Sequence, residues 1–213
     1  MTHIVCFFSQ KGLTIMEVVI YVCLISTITI ICHQFYQVNI NTYKIERERS
    51  ELFQDLKTAI SMISKDIRLC GCDPLNSGNM GFVNESDDKD RFDTDSNSIH
   101  ITADLVYPWD GKATEINERV KYFLYSSVNG LYKLGRCTGN SIRPQPVAER
   151  IISMIFSYYD LSGKIMSNPP TPLSAIGSVE IFLKSQSLHP NPITKKFDTY
   201  SLKNRVWIRN ASF

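Results

Sequence analysis

An unbroken apolar block near the start constrains this sequence most: it runs from Leu13 to Cys32 and reads LTIMEVVIYVCLISTITIIC. As an α-helix rising about 1.5 Å per residue, the block would be about 30 Å long, close to the thickness of a bilayer's hydrocarbon core. It is apolar on all sides rather than along one stripe, which disfavours the core helix of a water-soluble domain. The sequence therefore predicts a membrane-spanning helix.

The residues before and within the block distinguish it from a secretory signal peptide. The preceding segment, MTHIVCFFSQKG, is short and ends in Lys11 and Gly12. A secretory signal has its small-residue cleavage site after the apolar stretch, whereas HQFYQVNI follows Cys32. Glu17 lies inside the block, where a carboxylate costs about 2.5–3.5 kcal/mol near the centre of a membrane helix. Such residues are usually functional, so Glu17 is a candidate site residue.

The run KGLTIME, from Lys11 to Glu17, resembles the class III signal of type IV pilins and type II secretion pseudopilins. The resemblance implies that a prepilin peptidase cuts between Gly12 and Leu13 on the cytoplasmic side of the membrane. It also implies N-methylation of Leu13, which stands where this family usually has Phe. Glu17, the fifth residue after Gly12, would then act in filament assembly.

The chemistry of this arrangement follows from charge and burial. A cut after Gly12 removes Lys11 and leaves a charged amine on Leu13. Inside a filament, the amine of one subunit can pair with Glu17 of a neighbour. Because an unpaired carboxylate is costly in a low dielectric, misplaced subunits are penalised and the register is fixed. The alternative is a tolerated glutamate near the membrane interface, although a bare anchor needs no carboxylate there.

A second, amphipathic helical half is predicted beyond the membrane. Apolar residues recur there at helical spacing, at Leu52, Leu56, Ile60, Ile63 and Ile67. No Pro or Gly occurs from Leu13 to Cys70, and Gly71 is a suitable helix stop. We therefore expect a leader peptide over 1–12, a transmembrane or filament-core helix over 13–38 and a globular domain over 39–213. The amphipathic helix would occupy 39–70 of that domain.

Beyond Pro74 the sequence is typical of strands and turns, so the region 75–213 is predicted to be β-rich. Six strands are expected, over 98–103, 119–125, 130–134, 151–159, 178–184 and 200–210. The second and third of them should form a hairpin, and the segments 76–95 and 168–174 are expected to be loops. The predicted fold class is α+β: a long N-terminal helix packed on a mainly antiparallel sheet.

A further resemblance concerns the globular domain. KDIRLCGCDP, from Lys65 to Pro74, is similar to the DIR-x-AGYDP stretch of PilW-type minor pilins, with Cys70 and Cys72 in place of Ala and Tyr. Tyr158-Tyr159-Asp160 followed by Gly163, and the closing Arg209-Asn210, also resemble that group. GspJ pseudopilins share its architecture.

Together these resemblances imply a minor pilin or pseudopilin of a type IV pilus or a type II secretion pseudopilus, acting in initiation or at the tip. The implied partners are other pilins, the prepilin peptidase, the inner-membrane assembly platform and the membrane itself. The implied location is the bacterial inner membrane, crossed once, with the C-terminal domain in the periplasm. The alternative is a membrane-anchored periplasmic binding or adhesion domain, which would not need Gly12 and Glu17 in this register.

Neither an active site nor a cofactor is predicted. GxSxG, HExxH and P-loop motifs are absent from the sequence, and its histidines, at positions 3, 33, 100 and 189, are widely scattered. A formal net charge of +2 without a Lys/Arg-rich run does not indicate nucleic-acid binding. DTDSN, residues 93–97, resembles the opening of a calcium loop with Asp104 at its twelfth position. However, Ser98 stands where that loop needs Gly, so a solvated acidic turn is favoured and no metal is expected.

Three cysteines of the globular domain would meet the oxidising periplasm: Cys70, Cys72 and Cys137. Cys70 and Cys72 are separated only by Gly71, and such close neighbours rarely bridge without strain. A disulfide between Cys72 and Cys137 is therefore expected, Cys72 being preferred because it lies past the helix stop. The alternative is three free thiols.

Overall fold

The computed structural model describes residues 12–84, 93–126, 130–139, 141 and 143–210. Helix α1, Ile15–Leu69, is followed by six strands. These are β1 Ser98–Thr102, β2 Arg119–Ser126, β3 Tyr132–Thr138, β4 Gln145–Asp160, β5 Ile176–Gln186 and β6 Thr199–Trp207. The chain divides into two compact units, the first ending at Glu46 and the second beginning at Arg47. The predicted boundary between residues 38 and 39 lies within the first unit and stays a prediction, and residues 1–11 of the predicted leader lie outside the described part.

The first unit contains the apolar half of α1. Its most apolar window of 18 residues has a mean hydropathy of 2.4, and no part of that window is buried in the chain. The hydroxyls of Ser26, Thr27 and Thr29 donate to the carbonyls four residues earlier, at 2.7–2.9 Å. These polar side chains are thus satisfied within the helix, as an apolar environment requires. By length and composition this helix could cross a membrane.

The second unit is an antiparallel meander in which the sheet order β1-β2-β3-β4-β5-β6 follows the chain. One face of α1 packs on this sheet. The buried side chains of that face are Leu52, Leu56, Ala59, Ile60, Ile63, Ser64 and Ile67. They include all five apolar positions predicted from the spacing. The α+β fold class, with one long N-terminal helix packed on an antiparallel sheet, is confirmed.

The end of α1 is fixed by glycine. Gly71 has φ +74°, in the left-handed region that favours Gly after a helix. The N–H of Cys72 donates to the carbonyl of Leu69 at 3.1 Å. A Cβ at position 71 would also lie 3.1 Å from the carbonyl oxygen of Asn210, which passes close by. The predicted helix stop is therefore confirmed.

Strand β4 begins six residues before the predicted start at residue 151. Its first half contains Pro146, which pairs with Gly135 next to a shift in the β3–β4 register. A Cβ on Gly135 would lie 2.6 Å from Cβ of Pro144, so only glycine fits there. Arg150 has φ +60°, and its guanidinium lies 3.6 Å from the Asp55 carboxylate on α1. Prolines and charges in this stretch concealed the strand, because sequence patterns associate both with loops.

A polar cluster joins α1 to β2 and β3. Tyr122 Oη donates to Asp66 Oδ2 at 2.6 Å, and Arg136 Nε donates to the same oxygen at 3.0 Å. The side chains of Asp66 and Arg136 are only 12% and 18% exposed. Burial, together with the neighbouring Asp66 carboxylate, raises the pKa of Tyr122, so its hydroxyl remains a donor. The cluster lies on the helix-facing side of the sheet, beside the apolar core.

We predict that Asp66→Asn destabilises the fold by about 2–3 kcal/mol, somewhat less than the 3–5 kcal/mol of a fully buried pair. The substitution leaves the Arg136 guanidinium poorly solvated and without its carboxylate. Asp55→Asn is the matched control on the same helix. Asp55 is 44% exposed and faces Arg150 at 3.6 Å, and exposed pairs contribute about 0–1 kcal/mol. Urea unfolding of the detergent-solubilised chain measures both, and equal losses would contradict a special role for Asp66.

Candidate assembly site

The predicted cleavage site lies just outside the helix. Gly12, Leu13 and Thr14 precede the first helical residue, Ile15, and all three are exposed. The Leu13 side chain is 68% exposed. No atom of the described residues lies within 4 Å of the position that a Cβ on Gly12 would occupy. The Gly12–Leu13 peptide bond is therefore in open, non-helical backbone, the form in which an enzyme can bind a peptide substrate.

Thr14 and Glu17 form a capping box at the start of α1. Thr14 N–H and Oγ1–H donate to Glu17 Oε2 at 2.9 and 3.0 Å. In return, the N–H of Glu17 points to Thr14 Oγ1 at 3.3 Å. This reciprocal pattern satisfies backbone donors that the first helical turn leaves without partners. The negative charge of Glu17 also lies at the positive end of the helix dipole, where it is stabilising.

Sequence reasoning assigned Glu17 to assembly and missed this second role. The signal was present, because Thr14-Ile15-Met16-Glu17 is the T-x-x-E pattern of a capping box. Both bonds to Glu17 end on Oε2, and Oε1 accepts no hydrogen bond from the described residues. A cut after Gly12 would leave both capping partners in the chain. Glu17 can therefore cap its own helix and still present one oxygen to another group.

Two of the three segments that resemble PilW-type minor pilins lie together at the end of α1. Asn210 Nδ2 donates to the carbonyl of Cys70 at 3.4 Å, which joins the closing segment to the stretch 65–74. The third motif is a turn after β4. There Asp160 Oδ1 accepts from Ser162 Oγ at 2.6 Å and from the N–H of Lys164 at 2.9 Å, and these bonds lower the pKa of Asp160. In this structure all three segments therefore make hydrogen bonds within the fold.

The expected disulfide is not formed: Cys72 and Cys137 both carry free thiols. The carbonyl of Cys72 accepts the N–H of Asp104 at 2.8 Å, so Cys72 lies beside the end of β1. Cys137 is on β3, and β2 separates β3 from β1. Neighbouring strands are about 4.8 Å apart. The Cα atoms of the two cysteines are thus at least about 10 Å apart, beyond the roughly 4.4–6.8 Å of a disulfide.

The calcium loop that DTDSN, residues 93–97, resembles in sequence is not formed either. Asp95 Oδ1 accepts the N–H groups of Asn97 and Ser98 at 2.6 and 2.7 Å, which makes a tight turn before β1. Asp104 lies beyond the other end of β1, where its carboxylate accepts the N–H of Gly111 at 3.0 Å. The two ends of the proposed loop are therefore held apart by a strand. Within the described ranges, no group of three or more His, Cys, Asp or Glu residues is placed to hold a metal ion.

Comparison with known proteins adds little to these observations. No model of a known protein family matches the chain, and no curated protein sequence matches it. A solved structure of a type IV-like pilin from Thermus thermophilus is similar, with a TM-score of 0.42 and 8% identity, over 76% of this chain and 98% of that one. A similarity of this size assigns neither a family nor a function. The resemblance to PilW-type minor pilins therefore rests on the sequence motifs alone.

We predict that thiol reagents label Cys72 well before Cys70 or Cys137 in the folded chain at about pH 8, near the usual pKa of a free thiol. Cys70 and Cys137 are buried, whereas Cys72 is partly exposed. Burial also raises the pKa values of the Cys70 and Cys137 thiols, which lowers their reactive thiolate fraction. Peptide mapping after brief alkylation, with and without urea, measures this. Recovery of a Cys72–Cys137 disulfide from the periplasm would contradict the free-thiol structure.

Proposed function

We propose that this chain is a subunit of a type IV pilin-class filament: a minor pilin or pseudopilin that is cut after Gly12, N-methylated at Leu13 and incorporated through Glu17. The observation that carries the proposal is the combination at the start of α1. An accessible Gly12–Leu13 bond precedes a capping box whose glutamate opens a long apolar helix. A plain membrane anchor needs neither the glycine nor the carboxylate in this register.

The apolar half of α1 supports the proposal because its side chains are left uncovered in the single chain. The side chains of this segment are exposed, Ile15 by 86% and Ile25 by 64%. Apolar surface of this extent is stable only when lipid or protein covers it. A bilayer would cover it before assembly, and the equivalent helices of neighbouring subunits would cover it in a filament.

Charge complementarity supports the role of Glu17. After cleavage, Leu13 carries an amine, and Glu17 Oε1 has no hydrogen-bond donor among the described residues. An amine of a neighbouring subunit can reach this oxygen without displacing the capping bonds on Oε2. Such a pair would be strong in the low dielectric of a filament core.

The remaining features of the proposal come from the resemblance to minor pilins. They are a location in the bacterial inner membrane with the globular domain in the periplasm, and a role in initiation or at the tip. The partners would be other pilins, the prepilin peptidase and the assembly platform. The filament would be a type IV pilus or a type II secretion pseudopilus.

We predict that the mature chain begins at Leu13. Mass analysis of membrane-extracted protein should recover an N-terminal peptide starting there, with one added methyl group. Gly12→Ala should leave the chain uncut, because the resemblance assigns the cut to this glycine. A mature N-terminus beyond Cys32 would indicate an ordinary signal peptide, and an intact leader would favour a membrane-anchored binding or adhesion domain.

We predict that Glu17→Gln and Glu17→Ala both reduce incorporation into sheared filaments at least about tenfold, which is the loss of about 1.4 kcal/mol of pairing. The two variants separate the roles of Glu17. Glutamine keeps a carbonyl oxygen that can accept the Thr14 N–H, so it preserves the cap and removes only the charge. Alanine removes both. If Glu17→Gln assembles normally while Glu17→Ala does not, Glu17 acts only as a cap, and the pairing role is refuted.

A further inference from the structure

The two edges of the six-stranded sheet differ in how their backbone groups are used. At the β1 edge, the N–H of Val83 donates to the carbonyl of His100 at 3.1 Å. The N–H of Thr102 donates to the carbonyl of Gly81 at 2.8 Å, so the segment 81–83 covers this edge. At the other edge, β6 pairs with β5 over nine consecutive positions without a register shift. No strand among the described residues lies on the far side of β6.

The hydrogen bonds next to the ends of β6 show which of its backbone groups face outward. The N–H of Ser187 donates to the carbonyl of Asp198 at 2.8 Å, and the N–H of Ile208 donates to the carbonyl of Gly177 at 3.1 Å. Bonded and non-bonded positions alternate in an antiparallel pair, so the even-numbered residues from 198 to 208 direct their backbone groups at β5. The odd-numbered residues direct theirs away from the sheet. This outward row consists of Thr199, Ser201, Lys203, Arg205 and Trp207.

The outward row is accessible. All five of its residues are exposed, and the hydrogen bonds within the described part of the chain leave its N–H and C=O groups unused. An edge strand of this kind can accept an extended peptide as a further strand. Lysines often protect such edges by their solvated charge. Here Lys203 Nζ instead lies 2.9 Å from Glu180 Oε1 on β5, so its charge is compensated within the sheet.

Arg205 gives this edge a preference for acidic side chains. The centre of its guanidinium lies 3.8 Å from the ring centroid of Tyr159 and 5.0 Å from that of Trp207. Its Nε donates to Ser178 Oγ at 3.0 Å. Within the described ranges no ion pair involves Arg205, and no hydrogen bond uses its Nη atoms. A guanidinium that is held in place and lacks a counter-charge suits a carboxylate.

We propose that β6 binds an extended segment of another protein as an added antiparallel strand, in which acidic and apolar residues alternate and one acidic residue lies opposite Arg205. Residues opposite each other share a face of the sheet, with Cβ atoms about 4.5–5.5 Å apart, which a carboxylate can bridge. The apolar residues would share the other face with Tyr200 and Leu202, which pack against the core. The inference does not rest on the proposed filament function.

A second copy of the chain is a poorer occupant of this edge. Two β6 strands that bond antiparallel through their outward rows would place Lys203 and Arg205 of both copies on one face. In the symmetric register, Lys203 would lie opposite Lys203 of the other copy. Like charges directly opposite each other destabilise a strand pair. The charge of the edge therefore favours an acidic strand over β6 itself.

The test uses the full chain in detergent and a fluorescein-labelled peptide that alternates valine and glutamate over nine residues, the length of β6. Fluorescence anisotropy should show saturable binding with a Kd below about 1 mM, and hydrogen exchange should slow in the segment containing β6. Methylating the glutamate nitrogens removes the N–H groups that face β6 and should abolish binding. Methylating the valine nitrogens, which face solvent, should preserve it. Glutamine in place of glutamate should weaken binding about three- to tenfold.

Three variants of the chain complete the test. Ser201→Pro removes an outward N–H, which an edge strand tolerates, and should abolish binding. Arg205→Gln should weaken binding about three- to tenfold. Lys184→Gln is the matched control, because Lys184 pairs with Ser201 from the neighbouring strand β5 and so lies one strand away from the peptide. This variant should change the Kd by less than about twofold.

Circular dichroism checks that each variant is folded, and if Ser201→Pro fails this check, the pair of methylated peptides decides. The proposal is overturned by the absence of saturable binding, by equal binding of the two methylated peptides, or by unchanged binding to folded Arg205→Gln. It is also overturned if the chain forms dimers that Ser201→Pro disperses, since the edge would then belong to a second copy. Because cleavage and assembly are not measured, failure here would leave the proposed filament function standing.

Discussion

The second unit depends on the burial of one stripe of α1 against the antiparallel sheet. Each large aliphatic side chain in that stripe, from Leu52 to Ile67, contributes about 1.5–3 kcal/mol when it is fully removed from water. A helix held only by such contacts could slide or rotate over the sheet. Asp66 opposes this, because its carboxylate accepts directional bonds from Tyr122 and Arg136 on two different strands. Apolar burial therefore provides the stability, and the polar cluster specifies one helix position.

The part of α1 before Glu46 differs in its exposure to solvent. The most apolar 18-residue window of this segment is not buried by any described residue, and its β-branched residues are poor helix formers in water. In an apolar medium this disadvantage shrinks, because the backbone must form its own hydrogen bonds and the helix is the means to do so. The hydroxyls of Ser26, Thr27 and Thr29 likewise donate to carbonyl groups of the same helix. By length and composition, the first part of the helix therefore suits an apolar medium.

Features that depend on local pattern could be predicted from the sequence, and features that depend on strand order could not. The helix and its stop at Gly71 followed from spacing and from the absence of Pro and Gly. The first half of β4 was missed because Pro146 is tolerated only at a register shift that the sequence does not display. The predicted Cys72–Cys137 disulfide was wrong. The number of residues between two cysteines does not reveal that strand β2 lies between them in the sheet.

In the proposed filament function, Glu17 has to meet two requirements. A carboxylate must be tolerated in the apolar helix before assembly, yet must still favour pairing afterwards. The capping box meets the first requirement, because Thr14 donates two bonds to Oε2 while a subunit is alone. These bonds leave Oε1 without a donor among the described residues, so an arriving amine would add an interaction without replacing one. Since the cap partner is Thr14, beyond the proposed cut, cleavage would supply the amine and leave the acceptor geometry unchanged. On this argument processing, and not any rearrangement of α1, would be the step that makes the subunit competent to pair.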